Sequence, residues 1–224
     1  MKELMILKFI GGNKLIKKNK YKLILFDFDG TLLDILPHIV PFFNEFSEEF
    51  HFKPIKDPEF TRNLTLRQII KKHKIPFLKI PSLLRKVQKL QIENKDRIFL
   101  YEGFKEIIPQ LTKNYKLGIL SSNSKKVINS FLKKNNLHEC FSFVIGYPRI
   151  FSKSVALTKI LVSRGLKPSQ VLYVGDEVRD IQATKLVGID CASVTWGINS
   201  EHILTKYNPK FIIRNPKDLL NLLI

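Results

Sequence analysis

Residues 21–34 read YKLILFDFDGTLLD, in which an apolar run leads directly into two carboxylates and a glycine. A continuous apolar run of this kind is typical of a parallel strand that is covered on both faces. Gly30 offers the positive φ that a turn beside a ligand often requires. Open α/β sheets bind their ligands at the carboxyl ends of the strands. The segment therefore predicts a strand that presents Asp27 and Asp29 at the ligand-binding edge of a sheet.

From residue 101 onward, predicted strands and helices alternate, which favours a mostly parallel sheet. The predicted strands of this half are 116–120, 143–145, 171–174, 191–194 and 211–213. The predicted helices are 104–114, 125–135, 154–164, 181–187 and 217–223. Two of these strands end in polar or acidic residues, at Ser121 and at Asp176 followed by Asp180. Because parallel strands share one carboxyl edge, we expect these residues to lie near Asp27 and Asp29.

Residues 35–99 have a different pattern, rich in Phe, Leu, Ile and Lys and spaced as helices. The spacing from Ile39 to Phe50 predicts one amphipathic helix. Two further helices are predicted at 65–72 and 82–92, the second with Ser82 as its N-cap. We expect His73 and the lysines around it to lie at the solvated surface. The predicted organisation is an N-terminal extension (1–20), a catalytic core (21–34 and 100–224) and a helical insertion (35–99).

Composition limits the function classes. The 38 basic and 20 acidic residues give a net charge of +18, which favours anionic partners. Only eight of the basic residues are Arg, so solvated lysine faces are favoured over specific nucleic-acid recognition. Cys140 and Cys191 show no metal-ligand spacing, and no apolar run reaches the roughly twenty residues of a membrane span. Residues 1–20 lack a signal-cleavage pattern, so we expect a cytoplasmic protein without a membrane partner.

Carboxylates gathered at one sheet edge raise one another's pKa unless a cation compensates their charge. An oxygen-only ligand set favours a hard ion, so the sequence predicts Mg²⁺ as the cofactor. Bound Mg²⁺ bridges carboxylate and phosphoryl oxygens, which makes a phosphate the expected substrate group.

Four features in this order resemble motifs of one family: Asp27-Phe28-Asp29-Gly30-Thr31, Ser121 after a strand, Lys153 before a helix, and the segment 175–180. They resemble the haloacid dehalogenase-like (HAD) hydrolase superfamily, in its phosphoglycolate phosphatase-like and β-phosphoglucomutase-like branch with a helical C1-type cap. The resemblance covers the chain from about Tyr21 to its end, and it places the cap in residues 35–99. It implies an α/β fold, a Rossmann-like doubly wound parallel-sheet core with an inserted α-helical cap domain.

The resemblance also implies roles for individual residues. Asp27 would be the nucleophile that forms an aspartyl-phosphate, and Asp29 would act as general acid and then as general base. Mg²⁺ would be held by the carboxylates of Asp27 and Asp176 and by the main-chain carbonyl of Asp29. Lys153 would offset negative charge on the nucleophile and phosphate, although Lys125 and Lys159 compete with it in sequence. The expected phosphate-binding residues are Ser121, Ser122, Asn123 and Lys153, and the expected supporting residues are Thr31, Glu177 and Asp180.

These features together predict a Mg²⁺-dependent phosphomonoester hydrolase that acts on a small phosphorylated metabolite, as a monomer or homodimer. The family resemblance implies that an acid at the position of Asp29 favours phosphoester chemistry over dehalogenase chemistry. Two alternatives stay open: a sugar-phosphate mutase of the β-phosphoglucomutase type, and a basic nucleic-acid-associated protein or phosphatase. The insertion carries basic residues that could contact a substrate anion, namely Arg62, Arg67 and Lys71. Asp34-Ile35 departs from the family pattern of Asp followed by Ser or Thr, so substrate identity is left open.

Overall fold

The computed structural model describes residues 20–146 and 153–224. Within them, six parallel strands form one sheet in the order β3-β2-β1-β4-β5-β6. The strands are β1 (Leu23–Phe26), β2 (Lys116–Ser121), β3 (Phe143–Gly146), β4 (Val171–Gly175), β5 (Asp190–Val194) and β6 (Phe211–Ile213). All residues of β1 are buried. The first strand of the chain is therefore a central strand, as its unbroken apolar run predicts.

Helices cover both faces of the sheet. The insertion supplies α1 (Leu36–Asn44), α2 (Ser47–Phe50), α3 (Pro58–Arg62), α4 (Leu66–His73) and α5 (Ile80–Glu93). The remaining helices are α6 (Phe104–Leu111), α7 (Lys125–Lys134), α8 (Lys153–Arg164), α9 (Val178–Val187), α10 (Glu201–Lys206) and α11 (Pro216–Leu223). Ile24 and Phe26 of β1 join one hydrophobic cluster, whereas Leu23 and Leu25 join a second one on the opposite face. This two-sided core confirms the predicted doubly wound α/β fold.

The helical insertion leaves and re-enters the core at one place. Leu33 pairs with Leu100 in an isolated antiparallel bridge, and the Asp34 amide donates to the Phe99 carbonyl at 2.9 Å. The predicted boundaries at residues 34/35 and 99/100 lie beside this pairing, and the division into domains stays a prediction. Of the predicted N-terminal extension, residues 1–19 lie outside the described residues, while Lys20 forms an ion pair with Asp190.

Two helix predictions in the insertion are wrong. The predicted helix from Ile39 to Phe50 is divided into α1 and α2. Phe42 and Phe50 are both buried despite this break, so apolar spacing alone did not reveal it. Ser82 is not an N-cap, because α5 begins at Ile80 and Pro81 occupies its first turn.

Two further predictions need correction. His73 is buried rather than solvated. Its Nδ1 lies 2.9 Å from the Lys53 carbonyl oxygen. The helix predicted to begin at Ile181 begins at Val178 instead. Asp180 accepts a hydrogen bond from the Glu177 amide at 3.1 Å and so caps the start of this helix, three residues before the predicted start.

Within the described residues, no helix is long and apolar enough to cross a bilayer.

Candidate active site

The carboxyl ends of three neighbouring strands bring the predicted site residues to one edge. Phe26 at the end of β1 pairs with Ile119 of β2 on one side and with Val174 of β4 on the other. Asp27 follows β1 directly, Ser121 is the last residue of β2, and Asp176 follows β4. The chain then turns away from the sheet at Gly30, whose φ of 77° is one that residues with a side chain rarely adopt.

Asp27 is buried and is paired with a single lysine. Lys153, the first residue of α8, donates from Nζ to Asp27 Oδ2 at 2.6 Å and also contacts the Asp180 carboxylate. The amide of Phe28 donates to Asp27 Oδ1 at 2.7 Å. Burial alone would raise the pKa of Asp27, but the charges of Lys153 and Arg179 and these hydrogen bonds hold the pKa below its usual value. Asp27 is therefore a carboxylate near neutral pH, the form that a nucleophile requires.

Three carboxylates form what we call the acid cluster: Asp27, Asp176 and Asp180. All three are buried, and one oxygen from each lies within 4.8 Å of the others. Burial and then the negative charges of Glu177, Asp27 and Asp180 raise the pKa of Asp176 well above its usual value. No lysine or arginine within residues 20–146 and 153–224 forms an ion pair with Asp176. Lys153 thus compensates Asp27 and Asp180 but not Asp176, and three carboxylates with one lysine fit a hard divalent ion such as Mg²⁺.

The surroundings of Asp176 leave no room for other side chains. Thr31 Oγ1 donates to Asp176 Oδ1 at 2.7 Å, and the Ile198 amide donates to Oδ2 at 2.7 Å. A Cβ atom at Gly30 would lie 2.3 Å from Asp176 Oδ2, and a Cβ atom at Gly197 would lie equally close to it. Both glycines therefore allow the loops after β1 and β5 to pack directly on this carboxylate.

Asp29 points away from the acid cluster and is held by two amide side chains. Gln91 of α5 donates from Nε2 to Asp29 Oδ1 at 2.9 Å, and Asn123 donates from Nδ2 to Asp29 Oδ2 at 2.8 Å. Asn123 Nδ2 also donates to Gln91 Oε1 at 2.8 Å, which closes the triangle. Burial raises the pKa of Asp29 to about 7, helped by the charge of Asp27 and opposed by the two hydrogen bonds. A carboxyl group with this pKa can both give and accept a proton near neutral pH.

Of the predicted phosphate-binding residues, Ser121 ends β2, Ser122 and Asn123 lie in the loop after it, and Lys153 begins α8. Ser121 is buried, and its Oγ accepts a hydrogen bond from the Asn123 amide at 3.2 Å. Ser122 is half-buried, and Arg179 donates to its Oγ at 3.2 Å. Arg179 also pairs with Glu177. Ser122 and Asn123 thus line the site together with a guanidinium group that was not on the predicted list.

Several hydrogen bonds around Asn199 and Ser200 join the insertion to the core, and we call this contact the seam. Asn199 Nδ2 donates to the carbonyl oxygens of Arg62 and Leu64 at 3.1 and 2.9 Å. Ser200 Oγ donates to Asn63 Oδ1 at 2.6 Å. On the core side, the Val178 amide donates to Asn199 Oδ1 at 2.9 Å. Asn199 therefore connects the insertion to the start of the helix that carries Asp180.

The structure gathers the predicted site residues but changes several of their neighbours. Lys153 is buried at Asp27, whereas its sequence competitors Lys125 and Lys159 are exposed. Asp180 belongs to the acid cluster, while Glu177 faces Arg179 instead. Sequence reasoning missed Gln91, Arg179 and Asn199. Arg179 lies inside the quoted segment 175–180 and could have been selected as a cation there; the other two carry no local signal.

The arrangement defines an α/β enzyme with an acid cluster at the carboxyl edge of its sheet. Residues 24–194 match the family model described as haloacid dehalogenase-like hydrolase, and the chain belongs to this family. The sequence-based assignment to the family is therefore confirmed.

Individual relatives agree with this assignment. Phosphoglycolate phosphatase from Synechococcus elongatus is 36% identical over 200 residues, which are 88% of this chain and 94% of that protein. Pyrophosphatase PpaX from Bacillus cereus is 26% identical over 209 residues, which are 91% of this chain and 97% of that protein. The solved structure of a haloacid dehalogenase-like family hydrolase from Streptococcus pneumoniae has a TM-score of 0.74 at 21% identity, covering 90% of this chain and 98% of that one. The structural likeness supports the fold.

Proposed function

We propose that the protein is a Mg²⁺-dependent phosphomonoester hydrolase that works through an aspartyl-phosphate on Asp27. The observation that carries the proposal is the pairing of Asp27 with Lys153 beside the acid cluster, with the protonatable Asp29 two residues away. Membership of the HAD-like hydrolases and the phosphatase relative support the reaction class. Phosphoester hydrolysis requires a nucleophile, a proton donor and charge compensation, and these residues can supply all three.

The proposed reaction has two steps. In the first, a carboxylate oxygen of Asp27 bonds to phosphorus, the bond from phosphorus to the leaving oxygen breaks, and Asp29 gives its proton to that oxygen. In the second, water attacks the aspartyl-phosphate, its proton passes to Asp29, and phosphate leaves with Asp27 restored. Splitting the hydrolysis in this way replaces one slow step with two faster ones.

The remaining residues bind and orient the reacting groups. The carboxylates of Asp27, Asp176 and Asp180 would hold Mg²⁺, together with the main-chain carbonyl of Asp29. When bound, the ion would neutralise charge on these carboxylates and on the phosphoryl oxygens. Phosphoryl oxygens would be bound by Lys153 and by donors of the Ser121–Asn123 loop. Gln91 and Asn123 hold Asp29 in place through their hydrogen bonds to its two oxygens.

The relatives indicate which substrates to assay first. The Synechococcus protein is named for phosphoglycolate, which supports the sequence-based prediction of a phosphoglycolate phosphatase-like enzyme. The Bacillus relatives are named pyrophosphatases, so hydrolysis of pyrophosphate is a second candidate function. Phosphate release from the two compounds under identical conditions distinguishes these functions.

The test is the substitution Asp27→Asn, assayed with p-nitrophenyl phosphate, phosphoglycolate and pyrophosphate in Mg²⁺. We expect turnover of every hydrolysed compound to fall at least about a thousandfold, because the amide cannot attack phosphorus. The wild type quenched in acid during turnover should yield a phosphorylated peptide that contains residue 27, detected by mass spectrometry. Asp96→Asn, which changes an exposed carboxylate near the end of the insertion, is the matched control. Undiminished turnover by Asp27→Asn would rule out the mechanism.

A further inference from the structure

A cavity of about 170 Å³ lies between the helical insertion and the catalytic residues; we call it the insertion cavity. Asp27 and Asp29 line it on the core side, together with Ser122 and Asn123. The cavity is therefore continuous with the site where the proposed reaction takes place. The organic group of a phosphomonoester bound at Asp27 would lie beside this cavity.

The walls that the insertion contributes are almost wholly apolar. Representative residues from α1, α4 and α5 are Ile39, Phe43, Ile69, Ile70, Leu83 and Val87. Four of the six are only partly buried, so their apolar surface is not used up by packing within the insertion. Such a wall offers water almost no hydrogen-bonding partners. An apolar group placed against it is therefore stabilised by its removal from water.

Charged groups are confined to the core side and the seam. Among the described residues, no lysine lines the cavity, although the insertion is rich in lysine. Arg62 is the cation that the insertion contributes; its two terminal nitrogens contact Glu59 and the Thr195 carbonyl, the latter at 3.0 Å, and its buried Nε has no hydrogen-bond partner among the described residues. Asp27, Asp29, Glu177 and Arg179 complete the charged lining from the core. A second anionic group on the substrate would therefore meet mostly aliphatic surface, which is costly for a charge.

We propose that the preferred substrate is a phosphomonoester of an apolar alcohol or phenol, whose organic group fills the insertion cavity. The inference rests on the proposed phosphatase activity and specifies its substrate class. An apolar cavity of about 150 Å³ in another protein binds benzene, so the insertion cavity suits a group of about six carbons. Each methylene removed from water should raise kcat/KM by roughly three- to fourfold.

The experiment measures kcat/KM for ethyl, butyl and hexyl phosphate and for phosphoglycolate at one Mg²⁺ concentration. We expect a steady rise along the alkyl series of roughly three- to fourfold per methylene, with hexyl phosphate above phosphoglycolate. A flat or falling series, or a higher value for phosphoglycolate, overturns the proposal.

A matched pair of variants locates the effect. Val40 lines the insertion cavity, so Val40→Phe should fill part of it and flatten the dependence on chain length. Val162→Phe makes the same change on α8 at an exposed site outside the cavity, and it should keep the wild-type dependence. An unchanged dependence in Val40→Phe would show that the alkyl group binds elsewhere and would overturn the proposal.

Binding measurements separate this inference from the proposed function. Calorimetry with ethylphosphonate and hexylphosphonate, which lack the hydrolysable ester bond, reports on the cavity without turnover. Tighter binding of hexylphosphonate without any phosphoester hydrolysis supports the apolar site and contradicts the proposed function. Equal binding, with Asp27-dependent hydrolysis intact, overturns the inference alone. If phosphoglycolate is preferred and Arg62→Met abolishes that preference, a carboxylate site at Arg62 replaces the apolar one.

Discussion

The carboxyl edge of the sheet and the helical insertion differ in the charge of the surfaces that they present to the site. At the sheet edge, charges are concentrated: Lys153 lies between two buried carboxylates, and Asp176 has two hydrogen-bond donors but no ion-pair partner in the part of the chain that the structure describes. In the insertion, most charged side chains are exposed, Arg62 being an exception, and an apolar cavity faces the site. This difference is what the two proposals rest on: the sheet edge would supply the chemistry, and the insertion would select the group that leaves. The two regions share polar contacts at the seam and at Gln91.

The largest effect is expected from Lys153→Met, which removes the cation of the sheet edge. Asp27 and Asp180 would stay buried without a partner, so the free energy of unfolding at about pH 8 should fall by on the order of 3 kcal/mol. Turnover of p-nitrophenyl phosphate should fall about a hundred- to a thousandfold. Urea unfolding and steady-state kinetics measure the two losses. Lys159→Met on the same helix is the control and should change stability by less than about 0.5 kcal/mol; equal effects of both variants would contradict a special role for Lys153.

A smaller effect is expected from Asp29→Asn in metal-free protein, and it depends on pH. Burial raises the pKa of Asp29 from 3.8 to about 7, so the folded state keeps a proton that the unfolded state releases between these values. Wild-type stability from this group is thus complete below about pH 4 and is lost as the pH rises through about 7. Since Asn does not ionise, the variant should gain on the order of 4 kcal/mol relative to wild type over that range.

Urea unfolding at several pH values in the presence of a chelator measures this gain, with Asp96→Asn as the control for loss of a carboxylate. A stability difference that stays constant between about pH 4 and pH 7 would show that Asp29 is ionised throughout, contrary to the environment described above.

The third prediction tests whether the insertion acts on the chemistry as well as on substrate choice. Gln91→Leu removes the hydrogen bond to Asp29 Oδ1. Without this hydrogen bond Asp29 is less well oriented as the proton donor. Turnover of butyl phosphate should therefore fall about tenfold, because the alkoxide leaving group of butyl phosphate needs a proton. p-Nitrophenyl phosphate, whose leaving group departs without one, should slow by less than about twofold. Gln110→Leu on α6 is the control; an equal loss for both substrates would show that Gln91 supports only the structure.

The fold and most of the acids could be predicted from the sequence because their signals are local. An apolar run followed by Asp27, Asp29 and Gly30 combines a strand, its ligands and a turn within a few residues. The same holds for Gly175-Asp176 after β4. Helix boundaries in the insertion were less predictable, since the break between α1 and α2 leaves Phe42 and Phe50 both buried. Apolar spacing reports which side chains face the core, and it does not report where the backbone turns.

The contacts that hold these residues in place could not be read from the sequence. Gln91 reaches Asp29 across 62 positions of the chain, and Asn199 reaches Arg62 across 137. No periodicity or motif connects residues so far apart. Lys153 was selected from the sequence by the family resemblance, but its position between Asp27 and Asp180 became visible only in the structure.

The sequence by itself determined the order of the acidic strand ends along the chain and the membership of the family, and it predicts the place of the insertion. These features depend on short-range sequence patterns, in which each residue type suits the backbone conformation at its own position. The tertiary structure alone determined that Asp29 is held from the insertion and that the insertion encloses an apolar cavity. The reason is physical: burial, pKa and cavity shape are properties of surfaces that meet only when distant segments pack together.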